Sequence, residues 1–252
     1  MDKSNKIIVG ISIGDLNGIG IEVILKTFED KRMLDFCTPV IFGSTKVVSY
    51  HKKALNLETL VHGISSLNQI NHQKINVLNI WKEEVAVTLG KATKESGSYA
   101  AKSLEIAVAH LRDKKINILL TAPINKETIQ SDTFNFPGHT EYLEDKLEGK
   151  SLMILMTDVL RIGLLTGHIP ISKVAAAITP SLIKEKVNTM YTSLVEDFGI
   201  NKPKIAVLAL NPHCGDKGVI GAEDDEIIKP TIEEITATGK LVFGPYAADG
   251  FF

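Results

Sequence analysis

The sequence predicts an α/β layered fold with a largely parallel sheet. Three observations carry this. Short, β-branched apolar runs recur at strand length. Amphipathic stretches of helical period lie between them. Loops rich in Gly, Pro and Asn close several of the runs. At 252 residues the chain can bury a self-sufficient core without a disulfide or metal staple.

Taken in order, Ile7 to Ile13 is a buried strand and Gly14 to Gly20 a turn-rich loop. Ile21 to Lys31 has helical spacing, with Val23, Ile24, Thr27 and Phe28 on one face. Val40-Ile41-Phe42 is a short strand, and Gly43-Ser44 opens the next helix. Ile75 to Ile80 is a strand. Tyr99 to Arg112 is a helix, because Ala100, Leu104, Ala107, Val108 and Leu111 repeat at its period. Asn117 to Thr121 is a strand ending at Ala122-Pro123.

Leu152 to Met156 and Ile162 to Thr166 are apolar strands joined by a tight reversal over 157–161. Thr179-Pro180 caps a long helix whose apolar face is Ile183, Val187, Met190, Tyr191, Leu194, Val195 and Phe198, and Gly199 stops it. Ile205 to Leu210 is a buried strand, Asn211 to Gly221 a loop, and Ala222 to Thr236 a helix despite Pro230. No repeat or low-complexity tract is visible. The division falls near 125–135, giving domains 1–128 and 129–252.

Composition excludes several classes. Apolar residues are 44%, charged residues 23% and net charge is −2, so the basic footprint of a nucleic-acid binder is absent. No apolar run reaches the roughly 18 residues of a membrane span; Asp158 and Arg161 interrupt the nearest one, 151–166. The opening Met1 to Lys6 is no signal peptide. Two distant cysteines, Cys37 and Cys214, exclude a disulfide scaffold and fit a reducing cytoplasm.

Five clusters fall at strand ends, where α/β sheets bind ligands. Gly14-Asp15-Leu16-Asn17-Gly18-Ile19-Gly20 lets backbone approach a ligand at a helix start, or is simply a tight turn; its spacing is neither the dinucleotide fingerprint nor a P-loop. In Thr121 to Lys126, Lys126 can hold an anion as a point charge, or is a solvated lysine. In Phe136 to Glu141, His139 and Thr140 offer adjacent donors at a helix start. Alternatively, Thr140 caps the helix and His139 is a surface residue. His168 and His213 each follow a buried strand; they converge on one metal ion, or are unrelated loop residues. Cys214 is a soft ligand or a small hydrophobe. His51, His62, His72 and His110 receive no function.

Together these clusters resemble one family, the 4-hydroxythreonine-4-phosphate dehydrogenases of vitamin B6 biosynthesis. The resemblance runs through Ile13 to Glu22, Thr121 to Lys126, Phe136 to Glu141, Gly167 to Pro170, Leu210 to Gly215 and Gly244 to Asp249, six blocks in order. It implies a two-domain α/β/α fold like that of isocitrate and isopropylmalate dehydrogenases, and a homodimer with its active site at the interface. It implies that His139 and Thr140 bind substrate, that His168 and His213 ligate a divalent metal (zinc, magnesium or cobalt), and that Lys126 and Asp249 lie near the site. The implied reaction oxidises 4-phosphooxy-L-threonine with NAD or NADP to 2-amino-3-oxo-4-phosphooxybutanoate, which decarboxylates to 3-amino-2-oxopropyl phosphate. Phospho-threonate or phospho-erythronate is the alternative substrate. No cofactor-binding residue is identified.

Departures from the family pattern are Leu16 and Asn17 for Pro and Ala, Gly167 for Thr, and Cys214 for Ala, which makes Cys214 a bystander. The family continues past Asp249-Gly250-Phe251-Phe252 with a Tyr-His-Asp-Gln-Gly block, near which the third metal histidine lies. The expectation is therefore a truncated member lacking the elements that complete its first domain. An inactive fragment is then the alternative to a working dehydrogenase.

Overall fold

Residues 6–252 are described by a computed structural model, so the opening Met1 to Asn5, read above as no leader, lies outside them. The chain divides into two units, Met1–Glu148 and Gly149–Phe252.

The first unit runs β1 (Ile7–Ser12), α1 (Gly20–Thr27), the one-turn α2 (Met33–Phe36), β2 (Cys37–Gly43), α3 (Thr45–Ala54), β3 (Val61–Ile64), β4 (Ile75–Asn79), α4 (Lys94–Arg112), β5 (Ile118–Thr121) and α5 (His139–Lys146). The five strands form one parallel sheet in the order β3-β4-β2-β1-β5. Side chains alternate across it. Val9, Ile11, Ile41, Ile75 and Val77 pack on Ile21, Ile24 and Leu25 of α1 and Val47 and Val48 of α3. Val40, Phe42, Ile64 and Leu78 face the other way, onto Ala107 of α4. Helices therefore cover both faces, the layered arrangement that the alternation of elements predicts.

The strand order places a switch beside β1. From β1 the chain moves outward through β2, whereas β5 lies on the other side of β1. Chain leaving β1 enters α1 on one face; chain leaving β5 reaches α5, whose Tyr142 packs with Ala100, Leu104 and Val108 of α4 on the other. Such divergence opens a crevice at the carboxyl ends of the strands.

The second unit contains β6 (Ile154–Met156) and β7 (Arg161–Gly163), an antiparallel hairpin. The one-turn α6 (Val174–Ala177), α7 (Pro180–Glu196), β8 (Lys204–Leu208), α8 (Lys229–Thr236) and β9 (Leu241–Tyr246) follow. β8 and β9 pair in parallel. Ile183 and Val187 of α7, Val207 of β8, Ile232 and Ile235 of α8, and Val242 of β9 form its core. Thr179 accepts the Leu182 N–H at 3.2 Å and Pro180 opens α7, as the Thr-Pro pair predicts.

Several expectations need correction. The stretch 129–148, assigned above to the second domain, lies in the first unit, where Ile129 and Phe134 join Tyr142 against α4. The strands expected over 152–156 and 162–166 shrink to three residues each, with Leu155, Met156 and Ile162 exposed. The helix expected over 222–236 is a π-turn, Asp224–Ile228, followed by α8. Pro230 has no N–H to donate back one turn, so it fits only the first turn of a new helix. Strands β3 and β9 were not expected; each carries a glycine, and β9 also Pro245, which dilute the strand pattern.

Candidate active site

In the first unit, the loops leaving β1 and β5 meet at the crevice. The Asp15 N–H donates to the Pro123 carbonyl at 2.9 Å. Gly14 has φ +70°, and a Cβ there would stand 2.4 Å from that oxygen, so this glycine serves loop closure. Asn17 is buried and holds a strap. Its side chain accepts the Thr88 N–H at 2.8 Å and donates to the Lys91 carbonyl at 2.9 Å, while its carbonyl accepts the Gly90 N–H at 2.8 Å. Leu16 is fully buried, and its carbonyl accepts a 2.8 Å hydrogen bond from His51 Nε2. The two departures from the family pattern in this loop are thus anchors. The tight-turn reading suffices for them.

Beyond β5, Asn125 accepts the backbone N–H groups of Glu127 and Thr128, both at 3.0 Å, and fixes the turn that carries Lys126. The Lys126 ammonium is exposed, with no ion pair among the described residues. His139 is the first residue of α5 and half-buried. Its Nε2 is closed off from solvent and has no hydrogen-bond partner among the described residues. Burial first, and the charge of Lys126 second, hold its pKa below the ordinary imidazole value. His139 is therefore neutral near pH 7, with a cation nearby and a ring nitrogen awaiting a partner. Gly138 occupies the N-cap without a side-chain bond, so Thr140 does not cap the helix; it stands exposed in the first turn.

The second unit holds the other candidates. Asp224 is fully buried and ties down the exit of β8, accepting the Leu210 N–H at 2.8 Å and the Asn211 N–H and Nδ2 at 3.0 Å. Six consecutive residues then take positive φ: His213, Cys214, Gly215, Asp216, Lys217 and Gly218. Left-handed conformation costs a non-glycine residue of order 1–2 kcal/mol, so such a run persists only where its surroundings impose it.

His213 is pinned by Asp249. Its Nδ1 lies 2.7 Å from Asp249 Oδ2, and its backbone N–H donates to Oδ1 at 3.3 Å. The His213 N–H, chiefly, keeps the Asp249 carboxyl below the usual carboxylate range. His168 is exposed, with no hydrogen bond or ion pair among the described residues. Burial, with the charges of Asp224, Asp249 and Asp225, raises the Cys214 thiol above its ordinary pKa. It is no ready thiolate, which agrees with a bystander role.

The structure thus associates Lys126 with His139, and Asp249 with His213. Imidazole nitrogens are common ligands of a divalent metal, but among the described residues no group of three or more His, Cys, Asp or Glu could hold one. Asn17 and Asp224 carried no motif signal. An Asn inside a glycine loop, where the family has Ala, was the available hint for the first. His51, His72 and His110 are structural, bonded to Leu16 O, Thr38 Oγ1 and Ile106 O. No described helix is long and apolar enough to cross a membrane.

Residues 35–252 match the family model for the pyridoxal phosphate biosynthetic protein PdxA. A 4-hydroxythreonine-4-phosphate dehydrogenase of Bacteroides thetaiotaomicron is 48% identical across 99% of this chain and 69% of its own length. The chain belongs to the PdxA family. A Fusobacterium nucleatum relative, a putative D-threonate 4-phosphate dehydrogenase, is 31% identical across 97% of this PdxA-family chain and 74% of its own length. The crystal structure of a Burkholderia phymatum 4-hydroxythreonine-4-phosphate dehydrogenase matches with a TM-score of 0.87 at 28% identity. That match covers 97% of this chain and 75% of the other. These proteins are all named as dehydrogenases, so the family is one of oxidoreductases.

Proposed function

We propose that this chain oxidises the C3 hydroxyl of 4-phosphooxy-L-threonine, with NAD or NADP accepting the hydride and a divalent metal (zinc, magnesium or cobalt) assisting. The 3-oxo product then loses carbon dioxide to give 3-amino-2-oxopropyl phosphate, in pyridoxine 5'-phosphate biosynthesis. The observation that carries this reading is 48% identity, over nearly the whole chain, to a relative of that name.

The chain's own residues support it in three ways. Lys126 supplies positive charge, and the neutral His139 beside it supplies a ring nitrogen that can hydrogen-bond the bound substrate. Thr140 adds a hydroxyl at the N-terminus of α5, where helix polarity favours an anionic group. His168 and His213 would hold the metal, and Asp249 steadies His213. Once bound, the cation stabilises negative charge on the substrate oxygen. No residue is assigned to the nicotinamide, and the hydride step is left to the cofactor's own chemistry.

A homodimer and a cytoplasmic setting belong to the same proposal. Leu155, Met156, Val159 and Ile162 on and around the β6–β7 hairpin are exposed apolar side chains of the kind a partner covers. The cysteines are free, as in a reducing compartment. The relative named for D-threonate 4-phosphate favours a second reading, oxidation of that phosphorylated hydroxy acid.

The test is NADH or NADPH formation by the 252-residue chain with each substrate, with added divalent metal and then with chelator. Chelator-sensitive turnover of 4-phosphooxy-L-threonine is expected. Turnover of threonate phosphate alone would shift the assignment to the second reading. Turnover of neither would overturn both for this chain.

A further inference from the structure

We propose that Gln130 is a positioning residue that clasps the two ends of the loop between β5 and α5 and so sets Lys126 against His139. The inference rests on the substrate-binding reading of those two residues above, and deepens it by naming what fixes their spacing.

The two residues stand at opposite ends of the loop 125–138. Lys126 lies in its first turn, and His139 directly follows it as the first residue of α5. The first turn has order of its own, through the Asn125 side chain. It is also backed by α4, where Gly97 comes close to the Thr128 carbonyl. Ser131 and Phe134 make the reversal in the middle, exchanging backbone hydrogen bonds of 3.1 and 3.2 Å. Neither set of bonds spans the ends. Among the described residues, no backbone–backbone hydrogen bond reaches 135–137. Compact surface loops of this size are held by their own side chains.

Gln130 spans the gap. Its amide nitrogen donates to the Lys126 carbonyl at 3.2 Å and to the Phe136 carbonyl at 2.9 Å. An amide nitrogen carries two hydrogens, and here two carbonyls take them. One acceptor belongs to the residue that bears the cation. The other lies three residues before His139. The Phe136 ring also meets Tyr142 of α5, with centroids 5.3 Å apart. Apolar packing carries little direction, whereas a hydrogen bond weakens steeply off its axis. The first end is thus fixed against α4, and Gln130 fixes the second end to the first. At the site, the Lys126 charge then acts on the His139 ring, whose Nε2 is closed off from solvent without a partner among the described residues. A substrate that engages both an ammonium and an imidazole nitrogen needs them at a set separation.

The test uses the full chain and reads His139 first. Its titration is followed by NMR on chain labelled at histidine, and its signal is identified by loss in His139→Ala. Gln130→Met keeps the length of the side chain and removes both donors. Gln130 is exposed, so the variant should fold, which circular dichroism checks. With Lys126 in place, Gln130→Met is expected to move the His139 midpoint upward, because the cation is no longer held beside the ring. In a Lys126→Met background the same change should move it little, so the two substitutions couple. Gln130→Asn, an amide on a shorter stem, should recover part of the wild-type midpoint. The kcat/KM for 4-phosphooxy-L-threonine should fall roughly tenfold to a hundredfold in Gln130→Met.

An unchanged midpoint in folded Gln130→Met would overturn the proposal. So would an equal shift with and without Lys126, which would report water entering the loop rather than loss of a set spacing. Unchanged kcat/KM in an active Gln130→Met chain would overturn it as well. Coupled titration in a chain whose wild type turns over neither substrate would uphold the clasp and overturn the dehydrogenase reading instead.

Discussion

At the scale of single residues, the anchors are polar and the candidate ligands are exposed. Asn17 shows the first half. Its buried amide bonds at both ends to a strap that otherwise has no regular structure. Asn17→Ala would leave the Thr88 N–H and the Lys91 carbonyl without their protein partners. The expected cost is about 2 kcal/mol of unfolding free energy, read from urea denaturation. A change below about 0.5 kcal/mol would mean that water replaces the amide without loss. His139 shows what a sequence does and does not reveal. Its place at a helix start was legible from Pro137-Gly138. The orphaned Nε2 and the influence of Lys126 depend on burial and on a turn thirteen residues upstream, which no local pattern encodes.

At the scale of elements, periodicity found what it can find. α4 and α7 were legible because their apolar residues repeat every three or four positions, and Thr179-Pro180 marked the start of α7; the first turn of α4, capped by Thr93, lies before the expected 99–112. β3 and β9 were not, since a strand of four residues with a glycine, or of six with Gly-Pro, has too little alternation to stand out. The close approach of α4 to the segment after β5 was equally invisible. A Cβ on Gly97 would lie 2.0 Å from the Thr128 carbonyl oxygen. Helix propensity alone favours alanine there by about 1 kcal/mol. Packing reverses the sign, because backbone must yield. Gly97→Ala is expected to destabilise by about 1–3 kcal/mol in chemical denaturation. A stabilised variant would show that 128–129 moves aside freely.

At the scale of the whole molecule, three core clusters lie within Met1–Glu148 and one within Gly149–Phe252. None mixes residues of both units. Each unit should therefore survive a cut between them. Brief trypsin treatment is expected to cleave first after the exposed Lys146 or Lys150. The amino-terminal product should unfold cooperatively by circular dichroism. An early product ending near residue 128 would instead restore the boundary that the sequence suggested. The layered α/β class was legible because a parallel sheet buries both faces and so reads as apolar runs. The boundary was not, because α5 joins the first unit through two ring contacts of Tyr142, with Phe134 and with Phe136, which no local pattern signals.

The left-handed run from His213 to Gly218 has a consequence for how this protein can vary over time. Most surface loops drift freely, since their backbones suit almost any residue. Here the mirror-image hand of the turn sets the admissible alphabet before chemistry does. At Cys214, Asp216 and Lys217, glycine and asparagine enter at little cost, whereas valine, isoleucine and threonine meet their own branched Cβ. Inheritance along this stretch is therefore narrowed by handedness. A residue kept there through divergence is not, on that ground alone, a residue that touches substrate.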